Sequence, residues 1–429
     1  MALTGQRTFV GFGFGAIQAG LFLYEAYQSG GFARLVVGEV APELVNAVRQ
    51  NVGSYAVNIA HHDRVEAAVV GPVQIENPAE PQDLARLIDA VAAAEEISTA
   101  VPSVRFYTGD SAGSIHRILA EGLRRKILNH GPRAVVYAAE NHNHAAEILE
   151  AAVFETIPAD EKPYVRERVC FLNTVIGKMS GVVADAGEAR ARHLSTVTPE
   201  SSRAFLVESF NRILISRVPF PRFERGISAF IEKDDLLPFE EAKLYGHNAA
   251  HAVAAYLCAV RGLKFIADMR GDPALMNFVR EAFLKESGAA LIRKHAGKDR
   301  LFTPEGYREY ALDLLERMIN PFLQDSVERV GRDPQRKLGW DDRLIGTMRV
   351  ALQFSIIPRC FAFATAAALA TLDPKFLESK KSAGDLLLPI WGDDATDGSM
   401  KLDIVRLVDE AKNQLTNWIK TGYKDLPVA

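Results

Sequence analysis

Apolar runs alternate with amphipathic stretches up to about residue 190, and then the pattern changes. Residues 8–12, 35–38, 96–100, 134–138 and 169–172 are short apolar runs of strand length. Between them, 83–94, 115–130 and 145–154 repeat apolar residues at helical spacing. Buried strands separated by helices predict a parallel sheet covered on both faces. Segments 55–59 and 65–70 predict an extra hairpin or a small sheet extension. After about residue 195 strand signals fade. Helical patterns then run over 239–260, 273–286, 304–320, 342–354, 357–372 and 402–421. Pro273 and Pro304 stand at helix starts, where a missing N–H costs nothing. The fold class expected is α/β plus α. A parallel-sheet domain over 1–195 is followed by a mostly α-helical domain over 196–429.

The first strand leads into a glycine turn. Gly13-Phe14-Gly15-Ala16-Ile17 opens an apolar helix, and the second strand ends at Glu39. Strand, glycine turn, helix, strand and terminal acid make a dinucleotide-binding, Rossmann-like unit. The glycines let a pyrophosphate approach the backbone at a helix N-terminus. Glu39 would accept from the ribose hydroxyls and repel a 2′-phosphate, which favours NAD over NADP. The third glycine of the fingerprint is missing. Counted from Gly13 its place holds Gln18. Counted from Gly11 it holds Ala16, but that reading starts inside the strand.

Composition changes this picture little. The chain has 429 residues, is 48% hydrophobic and carries a net charge of −4, which favours neither nucleic acid nor an acidic membrane surface. Cys170, Cys258 and Cys360 lie far apart, without disulfide or metal-ligand spacing, and suggest a reducing, cytoplasmic setting. The apolar N-terminus is interrupted by glycines and reads as strand and helix, not as a targeting signal. Residues 361–372 are apolar but too short to span a bilayer.

The chemistry concentrates in Lys243-Leu-Tyr-Gly-His-Asn248-Ala-Ala-His251. On an α-helix, at roughly 100° per residue, Asn248 lies about 140° from Lys243 and His251 about 80°. A desolvated lysine serves as a general base near neutral pH. Asn and His can hold an oxygen beside it. His247 and His251 mimic a zinc-protease helix, but Asn248 stands where that motif needs a glutamate, so no metal is expected. Arg332, Arg336, Lys337 and Arg343 form a basic cluster further on, readable as surface ion pairs or as an anion clamp.

Several segments together resemble the polyol-specific long-chain dehydrogenase (mannitol dehydrogenase) family. They are Phe12 to Ile17 with Glu39, Ser98-Thr99-Ala100-Val101-Pro102, Ala139-Glu140-Asn141, Val207-Glu208, and Lys243 with Asn248 and His251. The stretch from Asn320-Pro321 through Arg329, Arg332, Arg336 and Lys337 to Asp342-Arg343 resembles its mannitol-1-phosphate branch. The resemblance implies an NAD-dependent, metal-independent oxidoreductase. It would interconvert a sugar alcohol or its phosphate with the keto sugar, here mannitol 1-phosphate and fructose 6-phosphate. Lys243, Asn248 and His251 would be catalytic. Gly13, Gly15, Ala16, Ile17, Glu39, Thr99, Ala100, Val101 and Asn141 would bind the cofactor. Asn141, Lys178, Arg336 and Arg343 would touch the substrate, between the two domains. A monomer or homodimer is expected.

One segment departs from the family. Asn173-Thr174-Val175-Ile176-Gly177-Lys178-Met179 stands where Val-Asp-Arg-Ile is usual. The lost Asp puts the exact substrate in doubt. Hexuronate reduction and free-mannitol oxidation remain open within the family. A non-catalytic dinucleotide-binding regulator remains open outside it.

Overall fold

The computed structural model describes residues 7–392, 398–424 and 426. It divides after Leu236 into two compact units.

The first unit holds two sheets. Its strands are β1 (Thr8–Phe12), β2 (Arg34–Gly38), β3 (Tyr55–Ala60), β4 (Val65–Val70), β5 (Gln74–Glu76), β6 (Glu96–Thr99), β7 (Ala134–Ala138), β8 (Val169–Ile176), β9 (Ser180–Val183), β10 (Ala204–Glu208), β11 (Ile213–Ser216) and β12 (Phe230–Lys233). Eight of them form one sheet in the order β12-β11-β8-β7-β6-β1-β2-β5. From β5 to β8 every pairing is parallel. The stretch β5-β2-β1-β6-β7-β8 is the doubly wound dinucleotide-binding order, with its switch point between β1 and β6. β11 then runs antiparallel to β8, and β12 parallel to β11.

The expected hairpin is β3–β4, with Tyr55 opposite Val70. It belongs to a second sheet of order β4-β3-β10-β9. A π turn, Gln18–Leu23, and the α-helix Tyr24–Ser29 connect β1 to β2. A Cβ on Gly20 would lie 2.5 Å from a Val207 methyl, so glycine lets this turn touch β10. Phe9 and Val37 of the large sheet and Tyr55, Val57, Phe205 and Val207 of the small one share one buried core.

The sheet unit thus runs past residue 195 to Leu236. Strands β10, β11 and β12 lie in the stretch that reads as fading. They are four or five residues long and stand among Pro199, Pro219 and Pro221, so neither length nor continuity marks them.

The second unit is helical. Leu237–Glu241 continues through a π turn, Ala242–Asn248, into Ala249–Val260. Pro273–Glu281 continues likewise through a π turn, Ala282–Gly288, into Ala289–Lys294. Pro304–Met318, Ile345–Gln353, Arg359–Leu372 and Gly398–Lys420 complete the main framework. Ala249–Val260 and Arg359–Leu372 are buried along most of their length. Among the described residues no helix is long and apolar enough to cross a membrane.

Candidate active site

Each unit carries part of the predicted chemistry. In the first unit the turn after β1 is built for a close approach. Gly13 has φ +82°, and its N–H donates to Gly38 O at 2.9 Å. A Cβ there would stand 2.8 Å from Ala100 O, because the turn after β1 presses on the turn after β6. Only glycine meets both demands without strain. A Cβ on Gly15 would meet nothing within 4 Å, so the backbone is open on that side. Ala16 and Ile17 begin the helix that follows.

Glu39 stands at the end of β2. Its Oε1 accepts from the N–H groups of Val40 and Ala41, both at 2.8 Å. Its Oε2 accepts from the N–H of Phe14, also at 2.8 Å. The carboxylate is therefore fixed beside the glycine turn, and Oε2 keeps acceptor capacity. These features fit the pyrophosphate and ribose of a dinucleotide. Gln18, in place of a third glycine, is fully buried and accepts from Ser98 Oγ at 3.0 Å. Gly11 makes room for it, since a Cβ there would overlap the Gln18 amide.

Glu140 organises the neighbouring turns. It accepts from Thr99 Oγ1 and from the Val101 N–H, each at 2.9 Å, and from the Tyr107 hydroxyl. Burial raises its carboxyl above the ordinary range although these donors oppose the rise. The Thr99-Ala100-Val101 turn is thus tied to the end of β7, where Asn141 is exposed. Lys178 lies in the turn between β8 and β9. It is buried, and its amine donates to Phe210 O at 2.9 Å and to Asn211 Oδ1 at 2.6 Å.

In the second unit Lys243 and Asn248 lie in the π turn, and His251 on the helix after it. This alters the α-helical expectation. Backbone bonds in a π turn run from i to i+5, so each turn takes more residues than in an α-helix. Lys243 and Asn248 are five apart, and the wider turn brings them nearer to one face than the roughly 140° of α-helical spacing. Burial, reinforced by Arg343 and opposed by Glu240, pushes the Lys243 amine down to about 8. His247 is buried and held neutral, its ionisation pushed well below the usual range chiefly by burial and next by His251. Glu241, beside the turn, pairs with Lys294 at 2.8 Å and His295 at 2.7 Å. Ser287 Oγ of the other π turn donates to Tyr245 O at 2.6 Å. These contacts hold the turn in place.

The basic cluster splits in two. Arg343 has a side chain only 13% exposed, pairs with Asp342 at 2.8 Å, and is near enough to depress Lys243 and His247. Lys337 is buried, donates to Arg332 O, and is pushed down to about 8 by burial and then by Arg343. Arg336 is 53% exposed and pairs with Asp333 at 3.0 Å. Lys243, Asn248 and His251 thus follow one another on a continuous helical run with Arg343 close to Lys243, whereas Arg336 is turned to Asp333 and solvent. Sequence reading passed over Asp325, which stands 3.3 Å from His251 Nε2. Only its spacing of four from Arg329 was visible. Among the described residues no group of His, Cys, Asp or Glu is arranged to hold a metal ion.

Residues 7–223 match the model described as the mannitol dehydrogenase Rossmann domain, and residues 235–387 that of the mannitol dehydrogenase C-terminal domain. A mannitol-1-phosphate 5-dehydrogenase of Geobacillus stearothermophilus is 31% identical over 339 residues, 79% of this chain and 80% of that one. The enzyme of that name from Brevibacillus brevis is 29% identical over 378 residues, 88% of this chain and 89% of its own. A solved Pseudomonas fluorescens mannitol 2-dehydrogenase, in ternary complex with NAD and D-mannitol, shares the fold with a TM-score of 0.71. It is 15% identical, over 97% of this chain and 95% of that one.

Proposed function

The chain belongs to the mannitol dehydrogenase family, and we propose that it is an NAD-dependent dehydrogenase that interconverts mannitol 1-phosphate and fructose 6-phosphate. The observation that carries the reading is Lys243, half-buried in a π turn, its amine pushed down to about 8, with Asn248 five residues on in the same turn. An amine with that pKa exchanges a proton with an alcohol near neutral pH.

In the oxidation direction neutral Lys243 takes the proton of a secondary hydroxyl. NAD, when bound, accepts the hydride from the carbinol carbon. Asn248 donates to the reacting oxygen as charge develops on it, and His251 holds that oxygen or its neighbour. In the reduction direction the Lys243 ammonium returns the proton to the carbonyl oxygen. Gly13 and Gly15 give the backbone room for the pyrophosphate, and Glu39 accepts from the ribose hydroxyls. Arg343 supplies a fixed, half-buried guanidinium for the phosphate at the far end of the sugar.

The relatives named above support the phosphorylated substrate, since mannitol 1-phosphate is in their name. The test is NADH oxidation with fructose 6-phosphate, free fructose and hexuronates as alternative acceptors. Fructose 6-phosphate is expected to give the highest kcat/KM. A preference for fructose or a hexuronate would replace the phosphate reading, and no turnover with any of them would favour a regulator.

A further inference from the structure

Asp325 and His251 face one another in the helical unit, Oδ2 to Nε2 at 3.3 Å. Both atoms are shut off from solvent, and among the described residues neither has a hydrogen-bond partner beyond this contact. The other carboxylate oxygen, Oδ1, accepts from Arg329, with Nε at 2.8 Å and Nη2 also in contact. The backbone around Asp325 is anchored as well. Its carbonyl accepts from the Ile266 N–H at 2.9 Å, and Ser326 bridges to Phe265. Asp325 is therefore a carboxylate fixed from two sides, with one oxygen left for His251.

We propose that Asp325 is a positioning residue that fixes the His251 ring as the Nε2–H tautomer and leaves Nδ1 to accept a hydrogen bond from the substrate hydroxyl next to the reacting one. The inference rests on the reading above that His251 touches the substrate. A carboxylate only accepts, so the ring nitrogen facing it carries the proton. A neutral imidazole has one N–H, so its other nitrogen is an acceptor. Burial alone would raise the Asp325 carboxyl, but His251 and Arg329 outweigh burial and hold it below the ordinary range. The carboxylate thus stays ionised and keeps its hold on the ring. His247, whose ring lies 6.2 Å away, is held neutral and supplies no rival cation. An acceptor at Nδ1 selects a substrate with a hydroxyl there. An analogue lacking that hydroxyl leaves Nδ1 without this partner.

Uniformly 15N-histidine-labelled full-length protein tests this directly. Long-range proton–nitrogen correlation separates the two tautomers, and the His251 signals are those lost in His251→Gln. The wild type is expected to show Nε2–H. Asp325→Asn presents an amide donor to Nε2 and should turn the ring to Nδ1–H. With it, kcat/KM should fall about 10–100-fold, as on loss of a carboxylate that orients a metal-bound imidazole. Asp325→Glu should restore the tautomer and part of the rate. A wild-type Nδ1–H signal overturns the proposal whether or not the Asp325 variants fold. So does an unchanged kcat/KM in a folded Asp325→Asn protein. Full turnover by His251→Gln would instead remove His251 from the catalytic reading. The wild-type spectrum would still decide the tautomer.

Discussion

The backbone N–H of Phe14 donates to Glu39 Oε2 at 2.8 Å, tying the glycine turn after β1 to the end of β2. The sequence reading gave Glu39 the cofactor's ribose alone. The structure adds a second duty, because the same carboxylate also holds Val40 and Ala41. Removing it strips three N–H groups of their acceptor beside the dinucleotide turn. Glu39→Ala should lower kcat/KM for NADH by one to two decades, from the ~1.5–3 kcal/mol of a charge-assisted contact. It should lower kcat/KM for NADPH less, since the repulsion of a 2′-phosphate goes too. Steady-state rates with both cofactors check this, and an unchanged NADH/NADPH ratio would take Glu39 away from the ribose.

Lys243 sets the pH dependence in opposite senses for the two directions. Oxidation needs the neutral amine, so its rate should rise with pH and level off above about 8. Reduction needs the ammonium, so its rate should fall above the same value. Lys243→Ala should lower kcat by ~10²–10⁴-fold and abolish that limb, as losing a general base does. NADH binding, followed by fluorescence titration, should persist. A mutant that keeps the limb would assign it to another group.

Much of this was legible because it is local. The β1 turn and Glu39 lie within one strand-helix-strand unit, and apolar runs mark both strands. Lys243, Asn248 and His251 lie within nine residues. The π turn was not legible. Side-chain periodicity assumes 3.6 residues per turn, and the wider bonding here is held by tertiary contacts such as Ser287 on Tyr245. Asp325 escaped for a related reason. Its partnership with His251 is made by packing between segments remote in sequence, and no spacing rule joins them. Among the basic residues, sequence ranked Arg336 and Arg343 alike, and burial separates them.

Glu96 makes the first unit sensitive to pH. It is fully buried, accepting from the Tyr137 hydroxyl at 2.8 Å and from the Gly226 N–H. Burial pushes it up to about 7 from an ordinary 4.5. A raised folded-state value means stability present below about 4.5 and lost as pH rises through about 7. Buried Lys126, pushed down to about 7 from an ordinary 10.5 by burial, has the opposite sign but acts above pH 7, so it does not offset the loss from Glu96 below that pH. The difference between wild type and Glu96→Gln isolates Glu96. From pH 5 to pH 8 the mutant should gain on the order of 2–3 kcal/mol relative to wild type, at ~1.4 kcal/mol per unit. Urea unfolding at the two pH values measures it, and a constant difference would mean that Glu96 ionises as an exposed acid does.

Arg343 and Arg336 should behave differently when each is replaced by alanine. Arg336 is 53% exposed and its ion pair with Asp333 is local, so its removal should change KM less than about threefold. Arg343 is 13% exposed and close to Lys243. Its loss should raise KM for fructose 6-phosphate by one to two decades, from the ~1.5–3 kcal/mol of a guanidinium–phosphate contact. KM for free fructose should barely move, since that sugar has no phosphate to lose. A second effect separates this from simple disruption. Arg343 depresses Lys243, so its removal should move the kinetic limb upward from about 8, for whichever sugar is used. Rates with both sugars between pH 6 and pH 10 read the two effects together. A raised KM for both sugars with the limb unmoved would make Arg343 a scaffold residue and end the phosphate assignment.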